Sequence, residues 1–295
     1  MLAALRLRQM SDQILKAIRK VDIISAMVTH VQSHSLLERL FIYPYFTNHY
    51  GYLLLDKRTK QIVAIDCGDF QTCRFHIEKL MQQESATFTH LFLTHSHEKH
   101  CAGYRDWQAV LPSLRVSSHS LPSTTHLQEG DLTFVGDLCV FPLHTPGHSP
   151  DSLSFVVTEV TPQSTKTPLV FTGDTLQTAS CGPAPDPQAM YSSLQKLRSL
   201  ANETLLFPGH ELGLEALSFA ALLEKENEFL VKKLAWAKEQ RAQGQMTVGA
   251  VLGEERLYNP FLRCFQPHFQ TLTSENDPVR VLAKLLKLRE TIQPS

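Results

Sequence analysis

The sequence predicts a mixed α/β (α+β) layered domain that passes into a helical C-terminal part. Three features carry that expectation. Short β-prone runs alternate with helical patterns up to about residue 212, strand signals cease beyond it, and several apolar runs end in glycine followed by histidine or aspartate.

Residues 1–35 read as an amphipathic helix. Up to Val21, Leu2, Leu5, Ile14, Leu15, Ile18 and Val21 recur near the helical period, while Arg6, Arg8, Lys16, Arg19 and Lys20 face a single acid, Asp12. That charge balance resembles a mitochondrial presequence, and a helix packed on the domain or on a partner has the same pattern. Residues 40–46, 50–56, 61–66, 88–94, 138–143, 152–158, 169–172 and 204–207 are short β-prone stretches bounded by turn residues, hence strands. Helical periodicity marks 72–83 and 188–200 between them. Residues 214–243, rich in Leu, Ala, Glu and Lys, predict one long helical region; 244–270 carry turn and loop residues; 278–292 form a last amphipathic helix. The expected division is an N-terminal segment 1–35, a layered domain 36–212 and a helical domain 213–295. No period of 20 to 50 residues indicates a solenoid or propeller.

The 295 residues carry 28 basic and 29 acidic side chains, a net charge of −1. No global field exists to hold DNA or RNA, so nucleic acid is not an expected partner. No apolar stretch approaches the ~20 residues that cross a bilayer, which predicts a soluble chain without an integral membrane segment. The six cysteines, at 67, 73, 101, 139, 181 and 264, form no C-x-x-C pair. Reduced thiols in a cytoplasmic or mitochondrial compartment are expected.

Histidine is abundant, 14 residues in all, and its imidazole is the commonest protein metal ligand. An apolar strand pattern ends at Thr94 and is followed by His95-Ser96-His97-Glu98-Lys99-His100. A chain that curls away from the strand end lets His95, His97 and His100 converge, whereas a continuing strand would send His100 to the opposite face. Downstream, His148 follows Thr145-Pro146-Gly147, Asp174 follows Phe171-Thr172-Gly173, and His210 follows Phe207-Pro208-Gly209. Any one of these alone reads more readily as a cap or surface group than as a ligand. Four such strand ends in order point to a centre for zinc or another transition ion that favours nitrogen.

The ordered set T-H-x-H-x-x-H, T-P-G-H, F-T-G-D-T and P-G-H-E resembles the metallo-β-lactamase superfamily, and Asp66 in Ile65-Asp66-Cys67-Gly68 matches its early acidic strand end. Thr47-Asn48-His49-Tyr50-Gly51-Tyr52-Leu53, the stretch from Lys233 to Lys238, and the stretch from Gly253 to Arg263 are similar to glyoxalase II (hydroxyacylglutathione hydrolase) and its hydrolase-like relatives. The resemblance implies an αββα sandwich closed by a helical C-terminal domain. It implies one metal on His95, His97 and His148, a second on His100 and His210, and Asp174 bridging the two. Lys99 stands where the family has the second metal's carboxylate, and an ammonium has no lone pair to offer. One zinc ion is therefore expected, with the second site doubtful and the Lys99 charge near Asp174 as a substitute cation, or else turned to solvent.

The resemblance further implies a hydrolase of thioester or related acyl substrates, with Asp174 as a catalytic group and a small acyl compound as partner; Lys99, where the chain departs from the family, is expected to be catalytic through its charge near Asp174. Arg263, after Asn259-Pro260-Phe261-Leu262, matches a position that grips the glutathione carboxylate; a structural pair at the domain junction is its other reading. Glutathione recognition is weakened elsewhere, since Cys181-Gly182 leads into Pro183-Ala184-Pro185-Asp186-Pro187 and Leu212 replaces a tyrosine. The alternative is a catalytically impaired member of the fold with a binding or regulatory role.

Overall fold

The computed structural model describes Leu36 and residues 39–160 and 167–292. The expected amphipathic segment 1–35 lies outside the described residues. Among them, the strands β1 (Leu40–Tyr45), β2 (His49–Asp56), β3 (Gln61–Ile65), β4 (Thr87–Phe92), β5 (Arg115–Ser118) and β6 (Thr125–His126) lie side by side in chain order. A second sheet orders β7 (Thr133–Val135), β8 (Leu138–His144), β9 (Leu153–Glu159), β10 (Leu169–Gly173), β13 (Leu205–Pro208) and β14 (Ala250–Val251). Between β10 and β13 the chain makes a small ribbon, β11 (Leu176–Gln177) with β12 (Ser180–Cys181).

Four layers result, because both sheets are apolar on both faces. Tyr52, Leu54, Val63, Ile65 and Phe92 of the first sheet meet Val140, Phe155, Val157, Leu169, Phe171 and Phe207 of the second in a common core. The alternate residues Leu53, Leu55, Ile62, Ala64 and Leu91 pack outward against helices α1 (Phe70–Glu84), α2 (Glu98–Cys101) and α3 (Tyr104–Val110), whose Ile77, Leu80, Cys101 and Trp107 belong to the same cluster. Val156, Val170 and Leu206 pack outward on α4 (Pro187–Arg198) through Met190, Leu194 and Leu197.

The C-terminal part adds α5 (Gly213–Leu223), α6 (Glu228–Ala242), α7 (Leu252–Tyr258), α8 (Pro267–Thr273) and α9 (Pro278–Ile292). The helical stretch expected over 214–243 takes the form of two helices, since the Asn227 side chain accepts from the Leu230 amide at 3.2 Å and caps a new start. The expected loop 244–270 contains β14, α7 and α8. Their short length leaves little periodic signal to read, and Pro267 opens α8 at a position where its missing N–H costs nothing. Strands β5, β6 and β7 likewise went unpredicted, being two to four residues long.

One buried network ties this part to the sandwich. The Glu255 carboxylate in α7 accepts from the Ala179 amide at 2.8 Å, from Asn259 Nδ2 at 2.9 Å and from the Tyr258 hydroxyl at 2.8 Å. Asn259 Nδ2 also donates to Ser180 O at 3.1 Å. The ribbon that follows Asp174 is thereby clamped, and Gly182 N, at its return, bonds Asp174 O at 2.9 Å.

Burial pushes the Glu255 carboxyl up to about 7, against the pull of those three donors. A carboxyl with a raised native pKa binds its proton more tightly folded than unfolded, so its contribution to stability is greatest below pH ~4.5 and declines as pH rises to ~7. Glu255→Ala is expected to cost about 2–4 kcal/mol, because buried donors lose their acceptor. Glu255→Gln should cost less and should flatten the decline in urea-unfolding free energy between pH 5 and 7.5 by on the order of 2 kcal/mol. Equal pH slopes for wild type and Glu255→Gln would refute the assignment.

Candidate metal centre

Strands β3 and β4 run parallel, as do β10 and β13, so the chain leaves all of them at one edge of the sandwich. Asp66, His95, Asp174 and His210 follow those strand ends, and His148 follows β8. The antiparallel β2 starts at the same edge with His49. Beyond Thr94 the chain makes a turn and then the single helical turn α2; His97 precedes it and His100 faces inward from it.

Three ring nitrogens gather here, with the Asp174 carboxylate beside them. His97 Nδ1 lies 3.1 Å from His95 Nε2 and 3.0 Å from His148 Nε2. Asp174 Oδ2 stands 3.4 Å from His148 Nε2 and 4.0 Å from His95 Nε2. A tetrahedral zinc with ligands at ~2.0–2.1 Å needs edges of roughly 3.4 Å, which these separations bracket.

The hydrogen bonds behind the rings decide which nitrogens are bare. Pro183 O can only accept, so at 3.0 Å it takes the His148 Nδ1 proton and leaves Nε2 as a lone pair. The Thr94 hydroxyl gives its one proton to Asp66 Oδ2 at 2.8 Å, so it must accept from His95 Nδ1 at 3.0 Å, and His95 Nε2 is bare. Asp66 Oδ2 also receives His100 Nδ1 at 2.9 Å, turning His100 Nε2 to within 3.5 Å of Asp174 Oδ1. Burial then drives the His95 imidazole down to about 2 and lowers that of His148, keeping both neutral. For His100 burial pulls down, but the bonds to Asp174 and Asp66 prevail and raise it to about 10. Asp174 is held well below the usual carboxylate range: burial opposes this, and the bonds from His100 and His210 outweigh it.

Two glycines permit this closeness. Gly173 has φ +49°, and a Cβ there would lie 2.6 Å from Thr94 Oγ1. At Gly209 a Cβ would lie 2.6 Å from His100 Cε1.

All six expected ligands, His95, His97, His148, Asp174, His100 and His210, meet at this edge; His210 Nε2 reaches Asp174 Oδ1 at 3.0 Å. Lys99 is exposed, and every basic group paired with Asp174 among the described residues is a histidine. No ion pair joins Lys99 to Asp174 among the described residues; its charge acts on the neighbouring pocket, where burial, the His210 and His100 rings and the Lys99 ammonium together lower the His49 imidazole to about 3. Arg263 is buried elsewhere: Nη2 bonds Glu224 Oε1 at 2.9 Å, Nη1 bonds Glu224 Oε2, and the guanidinium lies 5.3 Å from the Phe269 ring centre. Its fork already holds a carboxylate. Sequence reasoning did not assign Thr94, the Pro183 carbonyl or the orienting role of Asp66, and it treated His49 only as part of a motif; the Asp at an apolar strand end was the available signal for Asp66.

Asp66→Asn is expected to weaken zinc binding about 10–100-fold while the far-ultraviolet circular dichroism is retained, because two imidazoles lose their orienting acceptor. Thr94→Val should lose less, since only the path to His95 breaks. Chelator competition checks both, and unchanged affinity in Asp66→Asn would contradict the tautomer assignment.

The family model described as hydroxyacylglutathione hydrolase C-terminus matches residues 211–292. The chain is 33% identical over 260 residues to the mouse hydroxyacylglutathione hydrolase-like protein, covering 86% of this chain and 90% of that one. It is 31% identical over 255 residues to the cytoplasmic hydroxyacylglutathione hydrolase of Arabidopsis thaliana, covering 84% and 96%. A metallo-β-lactamase from Staphylococcus aureus superposes with a TM-score of 0.59 at 21% identity, covering 87% of this chain and 68% of that one. By its relatives and its four-layered architecture, the chain belongs to the hydroxyacylglutathione hydrolase family and has the metallo-β-lactamase fold.

Proposed function

We propose that the chain is a metal-dependent hydrolase of thioester or related acyl substrates, with one tightly held zinc or similar ion on His95, His97, His148 and Asp174. The observation that carries this reading is the convergence of two bare Nε2 atoms, His97 Nδ1 and an ionised carboxylate at separations of 3.0 to 4.0 Å. When bound, a transition ion there supplies Lewis acidity for a carbonyl and for water.

The chain's own residues provide the setting. His95, His100 and Asp174 are buried while His97 is exposed, so the centre opens on the His97 side and an acyl group enters there. Asp174, ionised at neutral pH, orients the attacking water by accepting a hydrogen bond from it. The substrate class follows the named relatives, and its breadth follows the loops. A glutathione carboxylate would have to displace Glu224 from Arg263, so the proposal is a small acyl compound rather than glutathione thioesters alone. A cytoplasmic or mitochondrial setting agrees with six unpaired, buried cysteines and with the name of the Arabidopsis relative. No described helix is long and apolar enough to cross a membrane.

The exposed Lys99 in place of a carboxylate favours the second reading, an impaired member that binds without turning over. Hydrolysis of S-lactoylglutathione and of a simple acyl thioester separates the two. Chelation should abolish turnover and zinc should restore it, and His148→Ala should lower it by roughly 100-fold or more and remove the tightly held ion. Stoichiometric metal with no turnover of any thioester would establish the binding reading instead.

A further inference from the structure

On the far side of Asp174 from the first ion lies a second group of nitrogens. Ring nitrogens of His49, His100 and His210 all fall within 4.8 Å of one another. The His49 ring centre is 4.1 Å from that of His210 and 5.6 Å from that of His100. Those of His100 and His210 are 5.4 Å apart.

The backbone builds this arrangement. Tyr50 N bonds Gly209 O at 3.0 Å and Glu211 N bonds Asn48 O at 2.8 Å, pairing His49 with His210 as opposite members of an antiparallel bridge. The Tyr50 hydroxyl, 2.9 Å from Glu211 Oε2, fastens the same two segments. His49 is 3% exposed, and neither of its ring nitrogens has a hydrogen-bond partner among the described residues. His210 Nδ1 is also buried without such a partner, and Asp174 Oδ1 lies 3.0 Å from His210 Nε2 and 3.5 Å from His100 Nε2. Buried ring nitrogens without partners are costly, and their gathering beside a carboxylate marks a position shaped for a cation.

We infer that His49, His100 and His210 form a second transition-metal site in which the His49 imidazole takes the place of the carboxylate lost at Lys99, with Asp174 shared between the two ions. Three imidazoles and one shared carboxylate favour zinc, cobalt or nickel over magnesium or calcium. The second ion binds against the charge of the first with one carboxylate between them, so it is the weaker of the two. Lys99 is exposed and its ammonium has no lone pair to give, which leaves the ligand positions to the histidines. The inference rests on the proposed hydrolase reading for the first ion only.

Calorimetric titration of the metal-stripped full chain with zinc tests it, with cobalt absorbance as a second readout. Wild type should take up two ions, one tight and one weaker. His49→Ala and the milder His49→Asn should weaken the second event at least 10-fold and leave the first within 3-fold, at unchanged far-ultraviolet circular dichroism. His148→Ala should weaken the first event most. Adding Lys99→Asp to His49→Ala should restore the second event, since it supplies the carboxylate that His49 replaces. A wild type that binds one ion under excess zinc, or a second event indifferent to His49→Asn, overturns the inference and leaves the first site standing. Failure to bind any ion overturns both.

Discussion

The centre depends on one buried carboxylate, Asp66. It accepts the Thr94 amide at 2.8 Å, the Thr94 hydroxyl at 2.8 Å and His100 Nδ1 at 2.9 Å, so one side chain orients the rings of His95 and His100 together. Asp66 has φ +60°, an uncommon conformation for a residue with a Cβ. Such a conformation costs about 1–3 kcal/mol. Hydrogen bonds to a charged acceptor contribute roughly 1.5–3 kcal/mol each, so three of them outweigh that strain. The neighbouring backbone holds the turn in place: Asp66 N bonds Phe92 O at 2.9 Å and Cys67 N bonds His100 O at 2.8 Å. The end of β3 is thus joined to the helical turn that carries His100, and the sandwich core behind it supplies the rigidity.

The C-terminal helices reach the same centre from the other side. Glu255 and Asn259 clamp the ribbon that leaves Asp174 and returns at Gly182. The next carbonyl, of Pro183, fixes His148. Two acids distant in sequence, Asp66 and Glu255, therefore determine where the metal ligands of both sheets point. The family resemblance of residues 211–292 has a physical content here, since this part positions ligands that it does not itself contain.

How much of this was legible in the sequence follows from range. A histidine or aspartate at the end of an apolar run is a local signal, and it pointed to His95, His97, His148, Asp174 and His210, which the fold gathers at one edge. Eight strands of the sandwich were legible from local apolar runs, down to a residue or two at their ends, while the short β5, β6, β7 and β14 were not. Partnerships across the fold left no such mark: Glu255 meets Ala179 from 76 residues away and Asp66 meets His100 from 34. Linear position leaves Lys99 either beside Asp174 or turned to solvent; in the folded chain it is exposed while His100, next to it, is buried. His49 was visible as part of a motif, but its chemistry shows only once the bridge to His210 is formed.

The account's central claim is that outward hydrogen bonds leave inward-facing lone pairs on one point. Crystals of the full chain grown with zinc, measured at the zinc absorption edge, test it most directly. The account predicts an anomalous peak about 2.0–2.2 Å from His95 Nε2, His97 Nδ1, His148 Nε2 and a carboxylate oxygen of Asp174. A peak elsewhere, or His95 or His148 bound through Nδ1 with its bond to Thr94 or Pro183 broken, would contradict it.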